Sequence, residues 1–197
     1  MGETTILIVD DESAVTDVYA AHLEAEYDVR TAYGGSEALE KLDADVDAVL
    51  LDRRMPGMSG DEVLANIRED EYDVRVAMVT AVDPDFDILD MGFDDYVVKP
   101  VSRDELYETV DRLLTYSDYD DTFQEYFSLV SKRAALETSK SQSALETSEE
   151  YQDLDERIDA LEADLDDAAL GLEDEEFGGL FRMPEPDFDS IDSPSQP

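Results

Sequence analysis

Ile6-Leu7-Ile8-Val9-Asp10-Asp11 decides the fold: four apolar residues without alternation run straight into two adjacent carboxylates. A second run, Val46 to Leu51, ends in the same way at Asp52. A third, Arg75 to Thr80, is rich in valine, and a short fourth, Val97-Val98, precedes Lys99-Pro100. Tyr27 to Ala32 is a weaker candidate of the same kind. Apolar runs without alternation suit strands buried on both faces, as in a parallel sheet covered by helices.

Helical spacing fills the gaps. Ser13 to Ala25 sets Val15, Val18, Tyr19, His22 and Leu23 at intervals of three and four. Gly35 to Leu42 places Ala38, Leu39 and Leu42 on one face, and Ser59 to Ile67 does the same with Val63, Leu64 and Ile67. Ser102-Arg103-Asp104-Glu105 is a capping box, and Leu106, Val110, Leu113 and Leu114 follow it through Tyr116. The order βαβαβαβαβα predicts an α/β fold with a doubly wound parallel sheet. Its functional crevice should lie at the carboxyl ends of the strands, where Asp10, Asp11 and Asp52 fall.

Composition narrows the setting. Fifty-four acidic residues face 14 basic ones, for a net charge of −40, and cysteine is absent. Disulfides and thiolate metal sites are therefore excluded. The acidity extends through the first 115 residues, so an acidic tail alone does not explain it. Such a chain suits a cytoplasm at molar salt, where the Debye length is about 3 Å and self-repulsion is screened. No stretch nears 18 consecutive apolar residues, and the start from Met1 to Thr5 lacks the basic and apolar blocks of a secretion signal. The expected location is the cytoplasm.

Three carboxylates converging at strand ends repel unless a cation sits among them. Mg²⁺ is the natural partner, since it uses one or two carboxylates, keeps waters and takes a phosphate oxygen as a further ligand. Lys99 supplies a point charge for a carboxylate or phosphate, and Thr80 a hydroxyl for a phosphoryl oxygen. A carboxylate nucleophile, a metal, a hydroxyl and a cation together suit carboxylate phosphorylation. The single histidine, His22, lies within a helix pattern and reads as structural or surface-exposed.

Asp10-Asp11-Glu12, Asp52 through Gly60 (Asp52-Arg53-Arg54-Met55-Pro56-Gly57-Met58-Ser59-Gly60), Thr80-Ala81 and Asp94-Asp95-Tyr96-Val97-Val98-Lys99-Pro100 resemble the receiver domain of two-component response regulators, over residues 1–115. That resemblance implies a flavodoxin-like five-stranded sheet of order 2-1-3-4-5. It also implies that Asp52 accepts a phosphoryl group from a sensor histidine kinase. Asp10, Asp11, Asp52 and the Arg54 backbone carbonyl would hold Mg²⁺. Thr80 and Lys99 would bind the phosphoryl oxygens, Tyr96 would act as the aromatic switch, and the bond to Pro100 would be cis. The only chemistry implied is the receiver's own phosphorylation and dephosphorylation, with no dedicated enzyme activity.

Three departures stand out. Thr80 to Tyr96 spans 16 positions, about one helical turn fewer than that family usually has, so the fourth helix should be short. Asp83-Pro84-Asp85 should open it with a cap and a first-turn proline. Arg54 places a long cation at the pocket rim; pairing with surface acids is the simpler expectation, tuning of phosphoryl lifetime the other. Val82, two residues past Thr80, offers no polar group to orient an attacking water.

Beyond Leu114 the pattern turns helical. Phe123, Tyr126, Phe127 and Val130 recur at helical spacing, and Leu154, Ile158, Leu161, Leu165, Ala168 and Leu172 form a short heptad seam. Ala135-Leu136-Glu137-Thr138-Ser139 recurs as Ala144-Leu145-Glu146-Thr147-Ser148, with a turn or weak joint expected between the helices. Tyr119 to Phe127 and Leu129 to Glu137 resemble the HalX domain found behind haloarchaeal receivers. The expected layout is a helical hairpin or coiled coil over 116–172, then a disordered acidic tail over 173–197. Its acidic faces favour a protein partner or a homodimer on the seam; DNA binding by a transcriptional regulator is the alternative, although no basic stripe or helix-turn-helix signal is present.

Overall fold

The computed structural model describes residues 4–70, 72–117 and 121–171. Five strands, β1 (Thr5–Val9), β2 (Asp28–Ala32), β3 (Ala48–Leu51), β4 (Arg75–Thr80) and β5 (Asp95–Val98), pair in parallel in the order β2-β1-β3-β4-β5. Helices α1 (Ser13–Leu23), α2 (Gly35–Lys41) and α3 (Gly60–Glu69) make the first three crossovers, a 3-10 helix, Phe86–Asp90, stands between β4 and β5, and α4 (Arg103–Ser117) follows β5. Then follow α5 (Asp121–Ser139), α6 (Gln142–Thr147) and α7 (Glu149–Gly171).

Successive strand residues point to opposite faces, so the unbroken apolar runs fill two cores. Ile6, Ile8, Leu50 and Val79 pack with Tyr19 and Leu23 of α1 and with Leu106, Val110 and Leu113 of α4. Leu7, Val9, Val49, Leu51, Val76 and Met78 face the other way, onto Ala38, Val63, Leu64 and Ile67. Capping boxes start two of the helices. In α3, Ser59 Oγ accepts from Glu62 N while Ser59 N donates to Glu62 Oε2. At α4, Ser102 N donates to Glu105 Oε2 at 2.8 Å and Glu105 N donates back to Ser102 Oγ at 3.3 Å.

The expected shortening is real and goes further: in place of a helix there is one 3-10 segment of five residues. Its cap differs from the expectation. Asp85 Oδ1 accepts from Phe86 N at 2.8 Å, so Pro84 lies before the cap and not in the first turn.

The C-terminal helices continue the second core. Leu136, Leu145, Tyr151, Leu154 and Ile158 join the same apolar cluster as Ile88 and Phe93. Helices α5 and α7 run antiparallel: Tyr151 Oη donates to Glu137 at 2.8 Å, Arg133 pairs with Asp155 at 3.5 Å and Arg157 with Glu125 at 2.5 Å. The predicted seam residues Leu154, Ile158, Leu161 and Leu165 are buried within the chain. The seam therefore closes the chain's own hairpin and presents no free stripe to a second helix over those four residues. The joint predicted between the pentapeptides is a break after Ser139, with Ser141 capping α6. Leu172 and the acidic tail lie outside the described residues. Among the described residues, no helix is long and apolar enough to cross a membrane.

Candidate functional site

Strands β1, β3, β4 and β5 end at one edge, and each delivers a functional residue there. Asp10 follows β1 and Asp52 follows β3; both side chains are buried. Lys99 follows β5, and its backbone N–H donates to the Thr80 carbonyl at the end of β4, 2.8 Å away. The Lys99–Pro100 peptide bond is cis.

Lys99 Nζ binds both acids, at 2.5 Å from Asp10 Oδ2 and 2.9 Å from Asp52 Oδ1. The remaining oxygens take backbone donors. Asp10 Oδ1 accepts from Glu12 N at 2.9 Å and Asp52 Oδ2 from Arg54 N at 2.8 Å. Burial pulls the Lys99 ammonium down, but its hydrogen bonds to Asp10 and Asp52 and their charges outweigh this and hold it above the ordinary lysine value. Asp11 is exposed and lines the adjoining cleft with Glu12, Asp52, Arg54, Thr80, Ala81, Val82 and Lys99. Thr80 is buried, and its Oγ1 accepts from Val82 N at 3.3 Å.

Gly60 lets α3 start against the acceptor loop: a Cβ there would come within 2.1 Å of the Asp52 carbonyl oxygen. Gly57, at φ +80°, turns the loop in a conformation that side chains other than glycine's rarely adopt.

Among the described residues, no group of three or more carboxylates or imidazoles forms a metal cage. The donor set still suits Mg²⁺, which seldom uses an all-protein cage. Two buried carboxylates meet at one point, a third opens on the same cleft, and every donor is a hard oxygen.

Tyr96 is buried, packs at a tilt against Phe93 with 5.5 Å between ring centroids, and donates from Oη to the Val82 carbonyl at 2.8 Å. Burial raises its pKa, while its hydrogen bond with Arg53 and that residue's charge oppose the rise. The expectation for Arg54 needs correction. Among the described residues Arg54 is exposed and makes no ion pair; Arg53 is the arginine that pairs, with Asp61 of α3 at 3.0 Å and with Asp87 of the 3-10 helix. The chain direction at Asp52 turns residue 53 inward and residue 54 to the cleft. His22 is half-buried in α1, and its carbonyl accepts from Tyr107 Oη, in keeping with a structural part.

Sequence reasoning missed Arg53, although its position beside Asp52 was a signal. It also missed Lys132, whose hydrogen-bond partners are backbone carbonyls that leave no trace in the sequence.

Residues 6–111 match the family described as the response regulator receiver domain, and residues 115–181 match the HalX domain. A Haloferax volcanii protein named "Putative transcriptional regulator" is 49% identical over 163 residues, 82% of this chain; the chain spans 28% of that protein's length. A CheY-like receiver from Methanospirillum hungatei superposes with a TM-score of 0.56 at 30% identity, covering 59% of this chain and 98% of the other. The Thermotoga maritima response regulator TrrA, solved with Mg²⁺ and BeF, gives a TM-score of 0.51 at 38% identity, covering 56% and 99%. With its sheet order, its acid–lysine corner and a receiver match over more than half its length, the chain belongs to the response regulator receiver family and carries a HalX domain behind the receiver.

Proposed function

We propose that Asp52 is the phosphoacceptor of a two-component phosphorelay, receiving its phosphoryl group from the phosphohistidine of a sensor kinase. The observation that carries this reading is Lys99 bridging Asp10 and Asp52 at the carboxyl ends of the strands. One Asp52 oxygen attacks phosphorus in line; the phosphorus–nitrogen bond of the donor breaks, and its imidazole takes a proton from solvent. The Arg54 amide orients the other Asp52 oxygen. Lys99 then transfers its pairing from the carboxylate to a phosphoryl oxygen, and Thr80 donates its hydroxyl to another. Asp10, Asp11, Asp52 and the Arg54 carbonyl are the residues that would hold Mg²⁺, which supplies positive charge to the developing phosphoryl oxygens. Val82 carries no polar group to orient a hydrolytic water, so the aspartyl phosphate should be long-lived. We take the receiver as residues 1–115 and the HalX domain as 116–172, with 173–197 as an acidic tail, all in a cytoplasm of high salt.

Incubation with a small acyl phosphate and Mg²⁺ in molar salt tests the reading on a phosphate-affinity gel. The wild type should shift and Asp52→Asn should not; an equal shift of both would overturn the assignment.

For output, the acidic hairpin favours a protein partner over nucleic acid. The name of the Haloferax volcanii relative supports the second reading, a transcriptional role through DNA. Retardation of specific DNA by the phosphorylated protein at high salt would decide for that second reading.

A further inference from the structure

Arg53 stands between Asp52, the proposed acceptor, and Arg54, whose carbonyl is a proposed metal ligand. The peptide group joining Arg53 to Arg54 is bonded at both ends. Its N–H, on Arg54, donates to Asp52 Oδ2 at 2.8 Å, and its carbonyl, on Arg53, accepts from Gly60 N at 2.9 Å. A peptide group is planar, so these two bonds fix its plane. Only the two backbone torsions of Arg54 then stand between that plane and the Arg54 carbonyl. Gly60 permits the approach, since a Cβ there would also meet Arg53 Cα at 2.9 Å.

The side chain of Arg53 repeats the attachment one residue further along α3. It is only 11% exposed, and its Nε donates to both oxygens of Asp61, at 3.0 and 3.2 Å, in the first turn of that helix. Arg53 thus grips α3 twice, by its carbonyl at Gly60 and by its guanidinium at Asp61. Its Nη2 reaches Asp87 of the 3-10 helix, which lines a bowl together with Arg53, Arg54, Val82, Asp83 and Asp85. Arg54 and Val82 line the acceptor cleft as well, so bowl and cleft share a rim. The charge of Arg53 is met by two carboxylates, and in molar salt, where the Debye length is about 3 Å, little of its field reaches the cleft. What Arg53 transmits to the site is the geometry of a planar fork.

We propose that Arg53 is a positioning residue for the metal: by tying the backbone between Asp52 and Arg54 to the first turn of α3, it holds the Asp52 carboxylate and the Arg54 carbonyl in the mutual position that binds Mg²⁺. The inference rests on the Asp52 and Mg²⁺ reading. Mg²⁺ demands near-octahedral geometry and dehydrates reluctantly, so a carbonyl that swings away from its place costs affinity. Losing a group that orients a metal's ligands typically weakens binding by about 10- to 100-fold.

Titration of the full chain with magnesium chloride in molar potassium chloride, followed at the amide resonances of Asp52 and Arg54, tests this. Arg53→Gln should raise the Mg²⁺ midpoint at least about tenfold, while resonances of α1 and β2 keep their wild-type positions. Asp61→Asn releases the same grip from the side of α3 and should raise the midpoint too; it carries the test if Arg53→Gln folds poorly. Arg53→Lys keeps the charge and loses the fork, so its midpoint should lie nearer to Arg53→Gln than to the wild type. An unchanged or tighter midpoint in Arg53→Gln, or in Asp61→Asn standing in for it, overturns the role of Arg53 alone. A wild-type midpoint in Arg53→Lys also overturns it, because charge would then suffice. A wild type whose Asp52 and Arg54 resonances do not respond to Mg²⁺ removes the metal reading and the inference with it.

Discussion

Two of the chain's four lysines are drawn out of solvent in opposite ways: Lys132 is buried and Lys99 half-buried. Lys99 stands between two carboxylates, whose charges and hydrogen bonds outweigh its desolvation. Lys132 has only carbonyls and an aromatic ring within reach, and burial pushes it below the ordinary lysine value despite the more distant Asp94, Asp90 and Glu125. The first arrangement is a charge cluster, the one we propose receives the phosphoryl group. The second is a geometric latch, strong only while its acceptors stay in place.

Substitutions can break this contrast. Lys99→Met leaves Asp10 and Asp52 buried without their cation; in Mg²⁺-free buffer it should cost about 3–5 kcal/mol by denaturant titration. Loss under about 1 kcal/mol would show that the two acids are solvated and not clustered. Leu136→Ala empties a fully buried position where α5 meets the receiver. It should cost about 2–5 kcal/mol and undock the hairpin, seen as rapid proteolysis within α5. Lys132→Met should cost less, about 1–2 kcal/mol, since lost charge-assisted hydrogen bonds are partly offset by removing a buried ammonium. Arg157→Ala removes an ion pair with Glu125 in which both side chains are largely exposed, and its effect should stay within about 1 kcal/mol and fade in salt.

The two lysines also have opposite pH signatures. Lys132 binds its proton less tightly in the folded state, so stability rises as pH climbs from its folded value toward the ordinary 10.5. Lys99 binds its proton more tightly when folded, so its contribution is full below the ordinary value and is lost above it. Denaturant midpoints collected up to the ordinary lysine value should rise less steeply in Lys132→Met than in the wild type. An identical slope would mean that Lys132 is solvated.

The sequence made the acid–lysine corner legible because strand-end placement depends on local apolar runs. Asp10, Asp52, Thr80 and Lys99 each follow or close such a run. The short segment after Thr80 was legible as a deficit in spacing, but its 3-10 form and the cap at Asp85 were not. The choice between caps at Asp83 and Asp85 depends on how α5 and Arg53 hold the turn. The seam from Leu154 onward was legible as a seam and not as to its partner. Heptad spacing states that a helix face is apolar, not whether the facing helix comes from the same chain. Tyr151 with Glu137 and Arg157 with Glu125 settle that in favour of α5.

The central claim is that one carboxylate among 54 acidic residues takes the phosphoryl group. Borohydride reduction of the acyl-phosphorylated protein, followed by peptide mass mapping, locates the modified residue directly. Reductive conversion should occur at Asp52 alone and be lost when Mg²⁺ is withheld. Conversion at Asp10 or Asp11, or equal labelling of Asp52→Asn, would contradict it.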